Sequence, residues 1–151
     1  METKNEKTTA AITHLSTFSQ YFIPFGNFIF PIIIWSSKKD KSEFIDYHGK
    51  QIINFQFSLM LYCIICLLVA IPTLMTAFFT DQNWNELVYN RDTFWESINF
   101  VNNRELFIIG IISLLMILVL KIIEFFLIII AAVNASNGEK YKYPLTINFI
   151  K

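Results

Sequence analysis

Residues 53–79 read INFQFSLMLYCIICLLVAIPTLMTAFF, and this stretch decides the fold class. A bilayer core about 30 Å thick is crossed by about 20 apolar residues in a helix, which this run supplies with residues to spare. It shows no alternation of period two, so it does not read as a strand of a membrane barrel. Pro72 predicts a kink late in the run, tolerated in a membrane helix when neighbours satisfy the freed carbonyl. Upstream, Asp40-Lys41-Ser42-Glu43 carries a helix-start signal, so the helix is expected to begin near Ser42, in water. Thr80-Asp81-Gln82-Asn83 marks its end.

The same pattern repeats outward. No Lys, Arg, Asp or Glu occurs from Thr8 to Ser37, none from Gln51 to Thr80, and only Lys121 and Glu124 interrupt Leu106–Gly138. Hydrophobic residues make up 54% of the 151, with 16 Phe and only 16% charged. A soluble domain needs more polar surface than that, and a disordered chain has far less apolar content. Twelve basic residues balance twelve acidic ones, which leaves no electrostatic footprint for nucleic acid. The expected class is all-α: a polytopic membrane helix bundle with two long spans plus a Pro/Gly-broken first helical hairpin, about four helices in all. The chain divides as a single membrane domain, 1–151, with a broken hairpin at 8–37, a helix at 42–80, a helix region at 93–136 and a cytoplasmic tail at 139–151. Asn137-Gly138 is a natural stop for the last helix. The tail reads as an extended segment lying on the surface.

The first apolar stretch is broken by Ile23-Pro24-Phe25-Gly26-Asn27. Pro24 disfavours helical geometry at Ile23, and Gly26-Asn27 supplies turn chemistry. Pro31 fits if a new helix starts near Asn27 and holds it in the first turn. Two short helices here form either a re-entrant hairpin or one kinked span. Charge asymmetry favours the hairpin. It gathers Lys4, Lys7, Lys38, Lys39, Lys41, Lys50, Lys140, Lys142 and Lys151 on one side and leaves Arg91 and Arg104 on the other, as the positive-inside tendency requires. Both termini are then cytoplasmic and the 81–105 loop lies outside. The start METKNEKTTA does not read as a cleavable signal, and a bacterial plasma (inner) membrane, crossed more than once, is the expected location.

Three segments carry a resemblance: HLSTFSQYFIPFGNFIFPIIIW at 14–35, KKDKSEFIDYHGKQIINFQ at 38–56 and AAVNASNGEKYKYPL at 131–145. In this order they resemble the small bacterial membrane proteins called domain of unknown function 4870, distantly similar to the chloroplast Tic inner-envelope import component. That resemblance implies a four-helix membrane unit with a Pro-Phe-Gly-Asn break and no enzyme activity. A translocation role would follow only by fold-level analogy.

Asp46, Lys50, Asn54 and Ser58 recur at every fourth position as a polar stripe, flanked by His48, Gln51 and Gln56. Polar groups entering a membrane turn toward other helices. Asn54 and Gln56 are therefore expected to tie this helix to the first hairpin, and Asp46 to pair with Lys50 in water. The competing reading is a polar vestibule for an ion, lipid or peptide. Gly49 is read as permitting close helix approach. Lys121 and Glu124, at i, i+3 in the middle of an apolar run, read as an internal pair facing the bundle, with a conduction site as the alternative. Cys63 and Cys66 have CxxC spacing but lie in apolar helix, so core packing is expected rather than redox or zinc chemistry. His14 reads as a polar contact. With two histidines in the chain, neither a metal site nor a catalytic arrangement can be argued, and no cofactor is expected. In the outer loop, Thr93 to Glu96 matches a capping box, and Trp84, Tyr89, Phe94, Trp95 and Phe100 suit an interfacial belt.

Three roles remain open at this point. The first is a non-enzymatic scaffold or accessory factor that contacts membrane partners through its helices. The second is a small oligomeric channel or translocation component, and the third, least favoured, a membrane enzyme. The lipid bilayer is the expected environment, with a membrane-protein partner or a homo-oligomer in addition. A channel loses flux when Lys121 or Asn54 is neutralised, whereas a scaffold tolerates Lys121→Leu.

Overall fold

A computed structural model describes residues 2–79 and 104–150. The 81–103 part of the predicted outer loop, with its Thr93 capping box and its aromatic residues, lies outside the described residues. Among the described residues there are four α-helices: α1 (Lys4–Leu15), α2 (Gly26–Lys38), α3 (Glu43–Phe79) and α4 (Arg104–Asn137). There is no strand among the described residues. Short 3-10 segments at Ser16–Tyr21 and Lys39–Lys41 join the first three helices.

Local chemistry sets each boundary. Helix α1 starts ahead of the apolar stretch because Thr3 and Glu6 form a reciprocal capping box, Thr3 N–H donating to Glu6 Oε2 at 2.7 Å and Glu6 N–H to Thr3 Oγ1 at 3.3 Å. A run of hydroxyls then bonds back onto the helix: Thr13 to the Thr9 carbonyl, Ser16 to Thr13, Thr17 to His14 and Ser19 to Ser16. These bonds satisfy the polar groups that an apolar setting would penalise. The chain turns at Phe22–Phe25, where Ile23 N–H donates to the Ser19 carbonyl and Gly26 N–H to Ile23.

The turn departs from expectation in its details. Phe25, not Gly26 or Asn27, adopts the left-handed conformation, with φ 60°. Gly26 is needed for space: a Cβ there would lie 2.6 Å from Ser19 Oγ. Helix α2 begins at Gly26, so Pro31 sits past the first turn and removes the hydrogen bond that would close on the Asn27 carbonyl. The second arm nevertheless folds back on the first, so residues 4–38 form a hairpin and not one kinked span.

Ser42 is extended (φ −155°, ψ 120°) and accepts from Ile45 N–H at 3.4 Å, opening α3. Pro72 stands within α3. Beside it Thr73 Oγ1 donates to the Val69 carbonyl at 2.7 Å and Thr76 Oγ1 to Pro72 at 2.8 Å. Helix α4 stops at a Schellman motif, with Gly138 at φ 88°, Gly138 N–H on the Ala135 carbonyl and Glu139 N–H on Asn134. At 37 and 34 residues, α3 and α4 are about 55 and 51 Å long, well beyond the hydrocarbon core. Both are long and apolar enough to span a membrane, and little of either span is buried inside the protein. Exposed side chains such as Ile64, Leu68, Ile71, Leu115, Leu118 and Phe126 give them a lipid-facing surface. The protein is an integral membrane helix bundle.

Two compact units make up the chain, residues 1–61 with 120–151, and residues 62–119. In the second, Gly110 lets α4 approach α3, since a Cβ there would lie 2.5 Å from Leu74 Cγ. In the first, the hairpin packs on the start of α3 and the end of α4. Ala10, Phe44 and Ala135 form a small buried cluster joining α1, α3 and α4, and the small side chains allow close backbone approach. Lys7 Nζ donates to the Asn137 carbonyl at 3.2 Å, and Lys140 Nζ lies 3.5 Å from Glu43. The exposed Glu6 carboxyl is held down to a pKa of about 2 by hydrogen bonds from the Ser42 and Thr3 hydroxyls. These contacts bring the N-terminus, the 38–42 linker and the end of α4 to one end of this unit.

Gly49 faces the indole of Trp35, where a Cβ would collide with Cδ1 and Cγ. Gly49→Val is expected to cost about 1–3 kcal/mol by overpacking. Unfolding in mixed micelles titrated with SDS, followed by tryptophan fluorescence, measures it.

Candidate functional site

The polar residues that the sequence places at membrane depth converge in the first unit in three connected groups. The deepest centres on Glu124, which is only 1% exposed. Its Oε2 accepts from Lys121 Nζ at 2.8 Å, and its Oε1 accepts from Gln20 Nε2 at 3.1 Å and Gln56 Nε2 at 3.0 Å. Gln56 Oε1 in turn accepts from Asn27 Nδ2 at 2.7 Å, and Gln20 Oε1 from Lys121 Nζ at 3.3 Å. One carboxylate thus ties the hairpin, α3 and α4 together. Lys121 is 43% exposed on its side-chain surface, so the pair is asymmetric: the anion is enclosed and the cation reaches out. Gln56 lies 13 residues after the start of α3, about 20 Å along the helix. The hairpin therefore accompanies α3 for less than half its length.

Nearer the linker end, His14 and His48, both fully buried, meet with Nε2 of the first 2.8 Å from Nδ1 of the second. His14 Nδ1 lies 2.7 Å from the Tyr143 hydroxyl. Tyr143 is buried and stacks on Phe55, ring centroids 4.1 Å apart and planes 8° from parallel. Burial pushes the Tyr143 phenol well above its usual pKa, with Tyr141 and Glu124 adding to the shift. The phenol is therefore neutral. If its proton goes to His14 Nδ1, His14 donates from Nε2 to His48 Nδ1. His48 then carries its proton on Nε2.

The third group is a clasp. Asn54 Oδ1 accepts from Phe149 N–H at 3.1 Å and Ile150 N–H at 2.8 Å, while Asn54 Nδ2 donates to the Ile150 carbonyl at 2.9 Å. Ser58 Oγ accepts from Ile147 N–H at 2.8 Å. The C-terminal segment is not simply extended, as the sequence suggested: it turns at Pro144–Leu145, with Leu145 at φ 59°, and is bound along α3 and anchored by a buried tyrosine.

The predicted residues therefore divide. Gln56 joins α3 to the hairpin, whereas Asn54 does not; it holds the tail, because the exposed edge of the tail's backbone offers both donors and an acceptor. Asp46 and Lys50 pair at 2.6 Å, and Asp46 Oδ1 also accepts from Trp35 Nε1 at 2.9 Å. Pro24 and Gly26 shape the turn, and Asn27 belongs to the Glu124 network. Cys63 and Cys66 are half-buried and unbridged. Sequence reasoning did not single out Gln20 or Tyr143, and it gave His14 no partner. The signals for them were an amide and a histidine in a charge-free stretch, which must find partners if buried. No group of three or more His, Cys, Asp or Glu suited to a metal ion occurs among the described residues.

Neither a curated protein nor a solved structure matches the chain. A family model described as the magnetosome magnetite crystal formation protein family matches residues 5–150. This overturns the resemblance to domain of unknown function 4870 and to the Tic component. The segments that carried that resemblance supply His14, Gln20, His48, Asn54, Gln56 and Tyr143, which join the elements of the first unit to one another. The match runs through both spans, the hairpin and the tail: the chain belongs to the magnetosome magnetite crystal formation protein family.

Proposed function

We propose that this protein is a non-enzymatic scaffold or accessory factor of the magnetosome membrane that promotes magnetite crystal formation through contacts with membrane partners. The match over residues 5–150 carries this reading. Geometry supports the scaffold form of it. Both oxygens of Glu124 are engaged by Lys121, Gln20 and Gln56, so the central carboxylate serves to join helices. The spans keep broad apolar faces for lipid or partner helices. In this reading the hairpin is re-entrant. The N-terminus, the 38–42 linker and the tail face the cytoplasm, where their lysines satisfy the positive-inside tendency. The test is to delete the gene in magnetosome-forming cells and measure crystal dimensions by electron microscopy. Smaller or irregular crystals inside intact vesicles, restored by the wild-type chain, are expected. Unchanged crystals would contradict the proposal.

A further inference from the structure

Lys50 is the last charged residue before the charge-free run of α3. At that level a cavity of about 420 Å³ opens, lined by Glu43, Asp46, Lys50, Gln51, Asn54 and Asn148 among others. It is separate from the Glu124 network, none of whose residues lines it. Gln51 Oε1 is buried and has no hydrogen-bond partner. A buried acceptor left unpaired is costly, and native structures seldom keep one without an occupant to satisfy it. The tail closes one side, since Asn54 holds Ile150 there.

The wall restricts what fits. The Lys50 ammonium opposes a simple cation, and the Glu43 and Asp46 carboxylates oppose a simple anion. A molecule carrying both a phosphate and a hydrogen-donating ammonium matches all of these groups. Lysine has three donors, so Lys50 can keep its 2.6 Å contact with Asp46 while meeting a phosphate. We propose that this cavity binds the amino-phosphate headgroup of a surrounding phospholipid of the phosphatidylethanolamine type. Its phosphate lies on Lys50, and its ammonium lies on Gln51 Oε1 and the neighbouring carboxylates. A trimethylated choline headgroup carries the same charges but cannot donate to Gln51, so the site discriminates by hydrogen bonding.

Native mass spectrometry of the full chain, released from micelles holding equal phosphatidylethanolamine, phosphatidylcholine and phosphatidylglycerol, tests this. Phosphatidylethanolamine is expected to be retained about tenfold over phosphatidylcholine, the value of one charge-assisted hydrogen bond. Gln51→Met should bring that ratio near unity, and Lys50→Gln should lower the retention of both lipids several-fold, with folding checked by circular dichroism. Should either variant fail to fold, the wild-type ratio decides alone. Retention of bound phosphatidylethanolamine in excess phosphoethanolamine supports a lipid occupant, and displacement supports the same chemistry from a free amino-phosphate. Equal retention of phosphatidylcholine, retention of phosphatidylglycerol at or above phosphatidylethanolamine, displacement by inorganic phosphate, a ratio unchanged in folded Gln51→Met, or retention unchanged in folded Lys50→Gln would overturn the proposal.

Discussion

Glu124→Ala is expected to destabilise the protein by about 3–5 kcal/mol, the cost of breaking a buried, hydrogen-bonded ion pair from one side. The substitution removes the acceptor for Lys121, Gln20 and Gln56 at once. Gln20 and Gln56 are then left with donors at a depth where water is scarce, and Lys121 loses its counter-charge. Lys121→Met should cost less than half as much. Lys121 is the exposed partner, and Glu124 keeps the two amide donors. This ordering refines the expectation drawn from sequence, in which tolerance of Lys121→Leu marked a scaffold: the intolerant member of the pair is the carboxylate. SDS titration in mixed micelles measures both variants. A loss under about 1 kcal/mol for Glu124→Ala, no more than an exposed pair contributes, would show that the carboxylate does not join the helices.

Tyr143→Ala is the second large effect, at about 3–5 kcal/mol for removal of a buried aromatic side chain. The ring stacks on Phe55 and the hydroxyl bonds His14, so the substitution both opens a cavity and strips a buried imidazole nitrogen of its partner. Tyr143→Phe separates these contributions. It keeps the stacking and loses only the hydroxyl, at about 1–3 kcal/mol for the unsatisfied group. Because Tyr143 anchors the tail, Tyr143→Ala should also speed tryptic cleavage after Lys140 and Lys142, while Tyr143→Phe changes it much less. Equal cleavage in all three proteins would mean that the tyrosine does not hold the tail.

What the sequence reveals follows from what helical spacing can express. The spans, the stop at Asn137-Gly138, the Asp46–Lys50 and Lys121–Glu124 pairs and the close approach at Gly49 are encoded within a few residues, and they were legible. The partners of the polar core are not local. Gln20 meets Glu124 across 104 positions and His14 meets Tyr143 across 129, and no periodicity specifies such a register. Asn54 illustrates the limit. Its depth showed that it needed a partner, but only the packed structure shows that the partner is the tail. The turn failed for a different reason: Gly26 was read for its backbone freedom, whereas its contact with Ser19 requires the missing side chain. The family assignment rested on short segments that build packing, and the match over nearly the whole chain assigned it differently.

In the proposed topology, residues 4–38 enter the membrane and return to the side they left. Single cysteines placed at Thr3, Lys39 and Lys140, in a chain whose Cys63 and Cys66 are replaced by Ala, test it with an impermeant maleimide on sealed, oriented vesicles. The account predicts that all three label from the same face. Labelling of Thr3 and Lys39 from opposite faces would contradict it, because the first stretch would then cross the bilayer.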